Sequence, residues 1–126
     1  MNDKRPQSRV FMTAWFSKAS RKALISEGEL CRAAQQVALG KADDLGGGVF
    51  KKRLNKNEHR AIILTKVGSF WIYEFLFAKK DMENIDKAEL LAFRKLAKSY
   101  ATLTDQQIEM LLTQKHWIEI CKEIGS

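Results

Sequence analysis

Alternating apolar and polar positions predict an α+β fold for this chain of 126 residues. Residues 10–16, VFMTAWF, form an apolar run that is rich in β-forming side chains, and they predict a first strand. Residues 17–24, SKASRKAL, have the composition of a helix with a basic face. Residues 1–8 are polar and are predicted to form a flexible tail in front of this strand and helix.

Three further helix starts share one capping signature, in which a capping side chain is followed three residues later by Glu or Gln. The pairs are Ser26 and Glu29, Asp86 and Glu89, and Thr104 and Gln107. They predict a helix over residues 27–40, another that starts at Lys87, and a shorter one over residues 105–113. Residues 116–121, HWIEIC, are compatible with either a last strand or a helical turn.

Three strand signals lie between the helical segments, at residues 49–55, 60–66 and 69–78. Only short turns separate them, so consecutive strands are predicted to pair antiparallel. The last of the three is apolar on both faces except for Glu74, which predicts a central position beneath helices. The chain is thus predicted to be one domain, residues 1–126. We expect an N-terminal strand and two helices, an antiparallel sheet of three to four strands, and C-terminal helices.

Positive charge is concentrated in the strand region. Residues 49–80 contain eight lysine or arginine residues and two acidic residues, so they hold six of the seven excess positive charges of the chain. A localised excess of this kind indicates a polyanionic partner, most often a nucleic acid. A solubilising surface is the alternative.

The remaining composition narrows the classes of function. The sequence contains no apolar run long enough for a membrane helix and no apolar core of a signal peptide, so we expect a cytoplasmic protein without a membrane partner. Cys31 and Cys121 lack metal-ligand spacing and are predicted to be reduced thiols. Because His59 and His116 are the only histidines, we expect no metal site, and no motif predicts a cofactor.

Strand alternation divides the basic residues of segment 49–55 between two faces. Lys51 and Arg53 share one face, whereas Lys52 shares the other with Phe50 and lies near its edge. The cations predicted to converge on one surface of the sheet are Lys51, Arg53, Arg60, Lys79 and Lys80. Such a surface suits a phosphate backbone, which relieves the mutual repulsion of the cations.

Other residues in and around this region have competing interpretations. The glycines at 46–48 can present amide N–H groups to an anion, but a turn with positive φ is favoured, and the residues that follow do not make a P-loop. His59, predicted to lie beside Arg60 and opposite Lys51 and Arg53, is either a general base or an ordinary surface histidine. Glu74 is predicted to pair with a cation, and a role as a carboxylate base is the alternative. The residues assigned to packing are Trp15, Trp117 and His116.

Four segments together resemble the RelE/ParE superfamily of bacterial toxins, most closely its HigB-like branch of RelE-family addiction-module toxins. They are FMTAWFSKASRKAL, ADDLGGGVFKKRL, HRAIIL and FLFAKKDMENID, and the resemblance spans residues 9–121. It implies a small α+β domain that cleaves mRNA without a metal, usually in the ribosomal A site. It also implies that the partners are a cognate antitoxin, mRNA and the ribosome with its rRNA.

Site residues follow from the resemblance and from the chemistry together. Residues that match by motif are Lys51, Arg53, Arg60, and Lys79 or Lys80. In-line attack of the 2′-OH on the scissile phosphate needs a base, for which Lys51 or His59 is expected, and cations on the phosphate, for which Arg53 and Arg60 are expected. Lys79 completes the expected catalytic set. Further RNA contacts are expected from Lys52, Lys56 and Lys80.

Two departures from the family pattern leave other functions open. The basic loop is reduced to NKNE at residues 55–58, and no C-terminal tyrosine or histidine follows the sheet in the position that some relatives use. A gyrase-poisoning toxin of the ParE type would act without nuclease chemistry. A non-toxic nucleic-acid-binding regulatory module would be harmless when expressed without an antitoxin.

Overall fold

A computed structural model describes residues 8–122, so all of the predicted tail except Ser8 lies outside the described residues. Within that range the elements are β1 (Arg9–Thr13), α1 (Ala14–Lys22), α2 (Glu27–Ala38), β2 (Asp43–Gly46), β3 (Val49–Leu54), β4 (His59–Lys66), β5 (Phe70–Ala78), α3 (Lys87–Tyr100), α4 (Asp105–Thr113) and β6 (Trp117–Ile120). None of these helices is long and apolar enough to cross a membrane. In the same range, histidine, cysteine and acidic side chains form no group of three that could hold a metal ion.

The six strands form one sheet in the order β2-β3-β4-β5-β1-β6. β1 is parallel to β5, and the other neighbouring pairs are antiparallel. Helices α1 and α2 cover the face that carries Leu54 and Ala61, called the α2 face below. Helices α3 and α4 cover the face that carries Val49, Ile62 and Leu64, called the α3 face. The predicted α+β class and the β3–β4–β5 meander are confirmed.

The first strand is shorter than the sequence pattern predicts. Thr13 ends β1 and caps α1, because its Oγ1 accepts a hydrogen bond from the backbone N–H of Phe16 at 3.0 Å. The helix therefore begins at Ala14, and the prediction of a strand through residues 14–16 is wrong. A local helix cap outweighs the β propensity of the aromatic side chains at this point.

Two short strands at the edges raise the strand count above the predicted three to four. β2 pairs with β3 across Gly47 and Gly48, whose φ angles of 66° and 83° confirm the predicted glycine turn. A Cβ atom at Gly47 would lie 2.9 Å from Cγ of Arg94, so the turn also lacks space for a side chain. At the other edge, the ambiguous segment HWIEIC contains β6, which pairs antiparallel with β1.

Helix caps form as predicted, with one exception. Both hydrogen bonds of the capping box are present at the starts of α3 and α4. Ser26 caps α2 by accepting the backbone N–H of Glu29. The carboxylate of Glu29, however, accepts the backbone N–H of Asn55. Glu29 thereby connects α2 to the turn between β3 and β4.

Cys31 of α2 and Cys121, which follows β6, form a disulfide. The prediction of two reduced thiols is therefore wrong. The two cysteines are 90 residues apart in sequence, and only the packing of α2 beside the end of an edge strand brings them together. No local spacing in the sequence indicates that approach. The bond ties the α2 layer to the edge of the sheet.

Candidate functional site

Alternation along β3 separates its basic residues as the sequence predicts. Val49 is fully buried in the core of the α3 face, and Leu54 is buried in the core of the α2 face. Lys51 and Arg53 have the same parity as Val49, so they lie on the α3 face. Lys52 has the opposite parity and lies on the α2 face. One strand therefore presents two cations to the α3 side of the sheet.

Arg60 lies beside Arg53 on this face. The two residues are direct partners in the β3–β4 register, which places their Cβ atoms about 5 Å apart. Arg60 alternates with Ile62, a core residue of the α3 face, and it pairs with Phe77 of β5 on its other side. Arg60 is thus at the centre of the three-stranded meander, at the end near the β3–β4 turn.

The guanidinium of Arg60 is held by backbone carbonyls. The residue is only 8% exposed, and its Nη1 donates to the carbonyl oxygens of Asn57 at 3.0 Å and His59 at 3.2 Å. Within residues 8–122 its guanidinium forms no ion pair, and its Nε and Nη2 make no hydrogen bond. No fully buried side-chain nitrogen in that range lacks a partner, so these groups reach solvent. They are available to bind an anion such as phosphate.

Lys51 is positioned by polar groups from two neighbouring segments. Its Nζ lies 2.6 Å from Oδ1 of Asn84, in the loop between β5 and α3. It also lies 3.7 Å from Oδ2 of Asp43, its register partner on β2. The ammonium group is therefore held in place two residues along β3 from Arg53.

Lys79 reaches the same end of the meander through its backbone. Its N–H donates to the carbonyl oxygen of Glu58 at 2.9 Å, which joins the end of β5 to the β3–β4 turn. Lys79, Lys80 and Lys56 are all exposed. The structure thus places Arg53, Arg60 and Lys79 at this end of the meander, and Lys51 lies two residues further along β3. They form the cation cluster, defined as Lys51, Arg53, Arg60 and Lys79.

The β3–β4 turn beside the cation cluster has an uncommon backbone. Asn55, Lys56 and Asn57 have φ angles of 53°, 52° and 71°, in the left-handed region that asparagine tolerates better than most residues. Glu29 holds the N–H of Asn55, and Arg60 holds the carbonyl of Asn57. Sequence reasoning identified only a short polar turn here and missed Glu29, because its contact crosses from another element.

A family model described as the RelE toxin of the RelE/RelB toxin–antitoxin system matches residues 8–120. The chain belongs to the RelE toxin family. The matching model describes the toxin of that system, so the predicted superfamily is confirmed. The HigB-like branch stays a prediction. No curated protein and no solved structure matched the chain.

His59 of this RelE-family chain does not join the cation cluster. Its register partner on β3 is Leu54, so its side chain lies on the α2 face. There its Nδ1 lies 3.1 Å from Nδ2 of Asn55. The predicted position of His59 opposite Lys51 and Arg53 is wrong, and alternation along β4 would have shown it. A catalytic role for His59 stays a prediction without support from this geometry.

Lys52 is also separated from the cation cluster by the sheet. Its Nζ donates to the carbonyl oxygen of Lys41 at 3.0 Å. Burial lowers the pKa of Lys52, and the positive charges of Lys41 and Arg53 lower it further. If Lys52 contacts RNA as predicted, the contact is on the α2 face and not on the face that carries Arg53 and Arg60.

Glu74 accepts a hydrogen bond from a tyrosine. The Oη of Tyr100 donates to its Oε1 at 2.8 Å, and Glu74 forms no ion pair within residues 8–122. Glu74 is the extra residue of a β-bulge in β5, where the register with β4 shifts. Burial raises the pKa of the Glu74 carboxyl, and the hydrogen bond from Tyr100 partly offsets that rise. The predicted pairing of Glu74 with a cation is wrong.

The substitution Glu74→Gln is expected to reduce the pH dependence of stability of this RelE-family toxin. Because the folded-state pKa of Glu74 is raised, the folded chain binds more protons than the unfolded chain above about pH 4.5, and stability falls as the pH rises through the folded-state pKa. Glutamine stays neutral and can still accept from Tyr100. Urea unfolding of both proteins at about pH 5 and about pH 7 measures the difference. If the free energy of unfolding falls equally in both proteins between these two pH values, the prediction is contradicted.

Trp15 is an exposed aromatic residue that the sequence analysis assigned to packing. It is 51% exposed and stacks on Phe75, with ring centroids 5.2 Å apart and planes inclined by 16°. Phe75 contacts Phe77 at a centroid distance of 6.0 Å, and Phe77 is the register partner of Arg60. Of the other residues assigned to packing, Trp117 is buried and His116 is exposed.

Proposed function

We propose that this RelE-family toxin is an endoribonuclease that cleaves mRNA in the ribosomal A site without a metal cofactor. The observation that carries the proposal is the pairing of Arg53 with Arg60. These register partners lie on the same face of the sheet, and no carboxylate within residues 8–122 forms an ion pair with either guanidinium. Two adjacent cations suit a phosphate group and favour the negative charge that develops on it during cleavage.

The proposed reaction is attack of a ribose 2′-oxygen on the adjacent phosphorus. The 2′-OH loses its proton, the bond from O2′ to phosphorus forms, and the bond from phosphorus to O5′ breaks. The products are a 2′,3′-cyclic phosphate and a 5′-OH, whose proton is supplied by solvent water. Arg53 and Arg60 bind the phosphate oxygens and stabilise the dianionic phosphorane. Lys51 is assigned the removal of the 2′-OH proton, since it lies on the same face and is positioned by Asn84.

The exposed lysines near the β3–β4 turn extend this surface. Lys79, Lys80 and Lys56 are proposed to contact the phosphates of mRNA or rRNA, which bind lysine as a point charge. A cognate antitoxin is the proposed inhibitor, and the ribosome as the place of action puts the toxin in the cytoplasm. Lys52 and His59 are not part of this surface because they lie on the α2 face.

Primer extension on cellular mRNA after induction of the toxin tests the proposal. Cuts confined to translated messages, and in frame, are expected for the wild type. The substitution Lys51→Ala should reduce cleavage about 100-fold, since a positioned proton-transfer group accelerates a reaction by at least that factor.

Two outcomes would contradict the proposal in different ways. Intact messages together with DNA damage would indicate a gyrase poison. In toxin–antitoxin modules the antitoxin is expected from the gene next to the toxin gene. If expression without this neighbouring gene is harmless, the chain is a non-toxic regulatory module. Toxicity that the neighbouring gene relieves supports the toxin–antitoxin assignment and leaves the chemistry to the primer-extension result.

A further inference from the structure

We propose that Trp15 is a nucleobase-stacking platform that holds the RNA strand beside the cation cluster. This inference rests on the proposed function, which makes single-stranded RNA the substrate. It adds a second contact point for the strand, outside the residues that act on the scissile phosphate. The ligand class is an unpaired base in a single-stranded segment.

The geometry of the Trp15 side chain suits this role. One side of the indole lies on Phe75 in a near-parallel stack, and half of the residue remains exposed. Phe75 is itself supported by Phe93 of α3 at a centroid distance of 6.0 Å. The indole is therefore an exposed aromatic surface on a packed base. Unstacked RNA bases bind such surfaces because every base has a π-face.

A continuous row of side chains connects Trp15 to the cation cluster. Trp15 stacks on Phe75, Phe75 contacts Phe77, and Phe77 pairs with Arg60 in the β4–β5 register. A strand whose phosphate lies at Arg60 and Arg53 can thus place a neighbouring base towards the indole. Basic residues next to exposed aromatic ones are the usual composition of surfaces that bind single-stranded nucleic acids.

Helix α1 carries further cations next to the indole. Lys18 and Lys22 follow Trp15 by three and seven residues, and all three residues are exposed. This spacing places them along one side of the helix. Trp15 therefore lies between two basic regions, the cation cluster and the exposed side of α1. That charge favours a polyanion as the occupant over an uncharged apolar protein segment.

Binding of a 2′-O-methyl RNA oligonucleotide to the full-length toxin tests the platform. This probe is single-stranded, and without a free 2′-OH it is not cleaved by the proposed reaction. Wild-type toxin is expected to bind it with quenching of tryptophan fluorescence. The substitution Trp15→Ala should weaken binding about tenfold, as expected for loss of one stacked base. Trp15→Phe should retain affinity within about threefold but lose most of the quenching, since a smaller ring still stacks.

Two further variants make the measurement specific. Val67→Ala removes a side chain that is 90% exposed in the turn between β4 and β5, and it should leave affinity unchanged. Lys18→Ala should weaken binding and reduce its salt dependence, because a phosphate contact is lost. Thermal unfolding of each variant shows whether it is folded, and the Trp15→Phe result does not depend on whether Trp15→Ala folds.

Three outcomes would overturn the platform. The first is unchanged affinity of Trp15→Ala for the oligonucleotide, and the second is absence of binding by the wild type. The third is loss of antitoxin binding in Trp15→Ala with RNA affinity retained, because this result would identify a protein-docking surface. Primer extension separates these from failure of the proposed function. If the wild type cleaves messages and Trp15→Ala cleaves them equally, only the platform fails. If the wild type does not cleave, the proposed function fails whatever the oligonucleotide result.

Discussion

Replacing Arg60 with alanine is expected to slow mRNA cleavage about 100- to 1,000-fold, the loss typical of removing one preorganised donor to a transition-state anion. The guanidinium is nearly buried and is fixed by the carbonyls of Asn57 and His59, so it does not have to be reordered when the phosphate arrives. Its partner Arg53 remains in place in this variant. The rate of cleavage of a ribosome-bound message, measured with purified toxin, gives the effect directly.

Arg60→Lys and thermal unfolding separate the catalytic loss from a structural one. Arg60 also supports the β3–β4 turn, so the alanine variant loses two hydrogen bonds, each worth about 1 kcal/mol or somewhat more because the donor is charged. Lysine retains the charge but not the planar pair of donors that binds phosphate through two N–H groups. We expect Arg60→Lys to remain folded and still lose most of the activity. A lysine variant as active as the wild type would contradict the phosphate-binding role.

Lys52→Ala and Arg53→Ala provide a matched comparison on a single strand. Both remove one positive charge, the two positions are adjacent, and the sheet separates them onto opposite faces. If the α3 face is the working surface, Arg53→Ala should lose activity about 100-fold and Lys52→Ala less than about threefold. Equal losses in the two variants would show that the total charge of the strand, and not one face, determines activity.

Sequence reasoning placed these residues correctly where the physical cause is local. Alternation depends only on the backbone of one strand, so the separation of Lys51 and Arg53 from Lys52 followed from the apolar positions around them. The capping boxes of α3 and α4 are likewise contained within four residues each. The arrangement of the meander followed from the short turns between strands.

The features that the sequence missed depend on contacts between distant segments. Glu29 and Asn55 are 26 residues apart, and their hydrogen bond exists only because α2 packs beside the β3–β4 turn. Trp15 has the apolar character of a core residue, but it stacks on Phe75 of a distant strand and remains half-exposed. The β2 strand, which no pattern in the sequence predicted, pairs with β3 because the glycine turn reverses the chain. In each case the local structure depends on the distant segment that the residue contacts, and not on the residue type alone.

Reduction of the Cys31–Cys121 disulfide is expected to lower the free energy of unfolding by about 4–5 kcal/mol. The bond closes a loop of 90 residues, and in the chain-entropy model a long loop strongly restricts the unfolded state. It also ties α2, which carries Glu29 and so supports the β3–β4 turn, to the end of β6. Urea unfolding of the toxin with and without a reductant measures the loss.

The double variant Cys31→Ala/Cys121→Ala supplies the control for this measurement. It has no disulfide, so the reductant should leave its stability unchanged, and that stability should match the reduced wild type within about 1–2 kcal/mol after the loss of two small apolar side-chain groups. If the reductant lowers the stability of the wild type and does not change that of the double variant, the disulfide is a stabilising cross-link. Two titratable thiols in the folded, unreduced wild type would contradict it, since they would show that Cys31 and Cys121 are not joined.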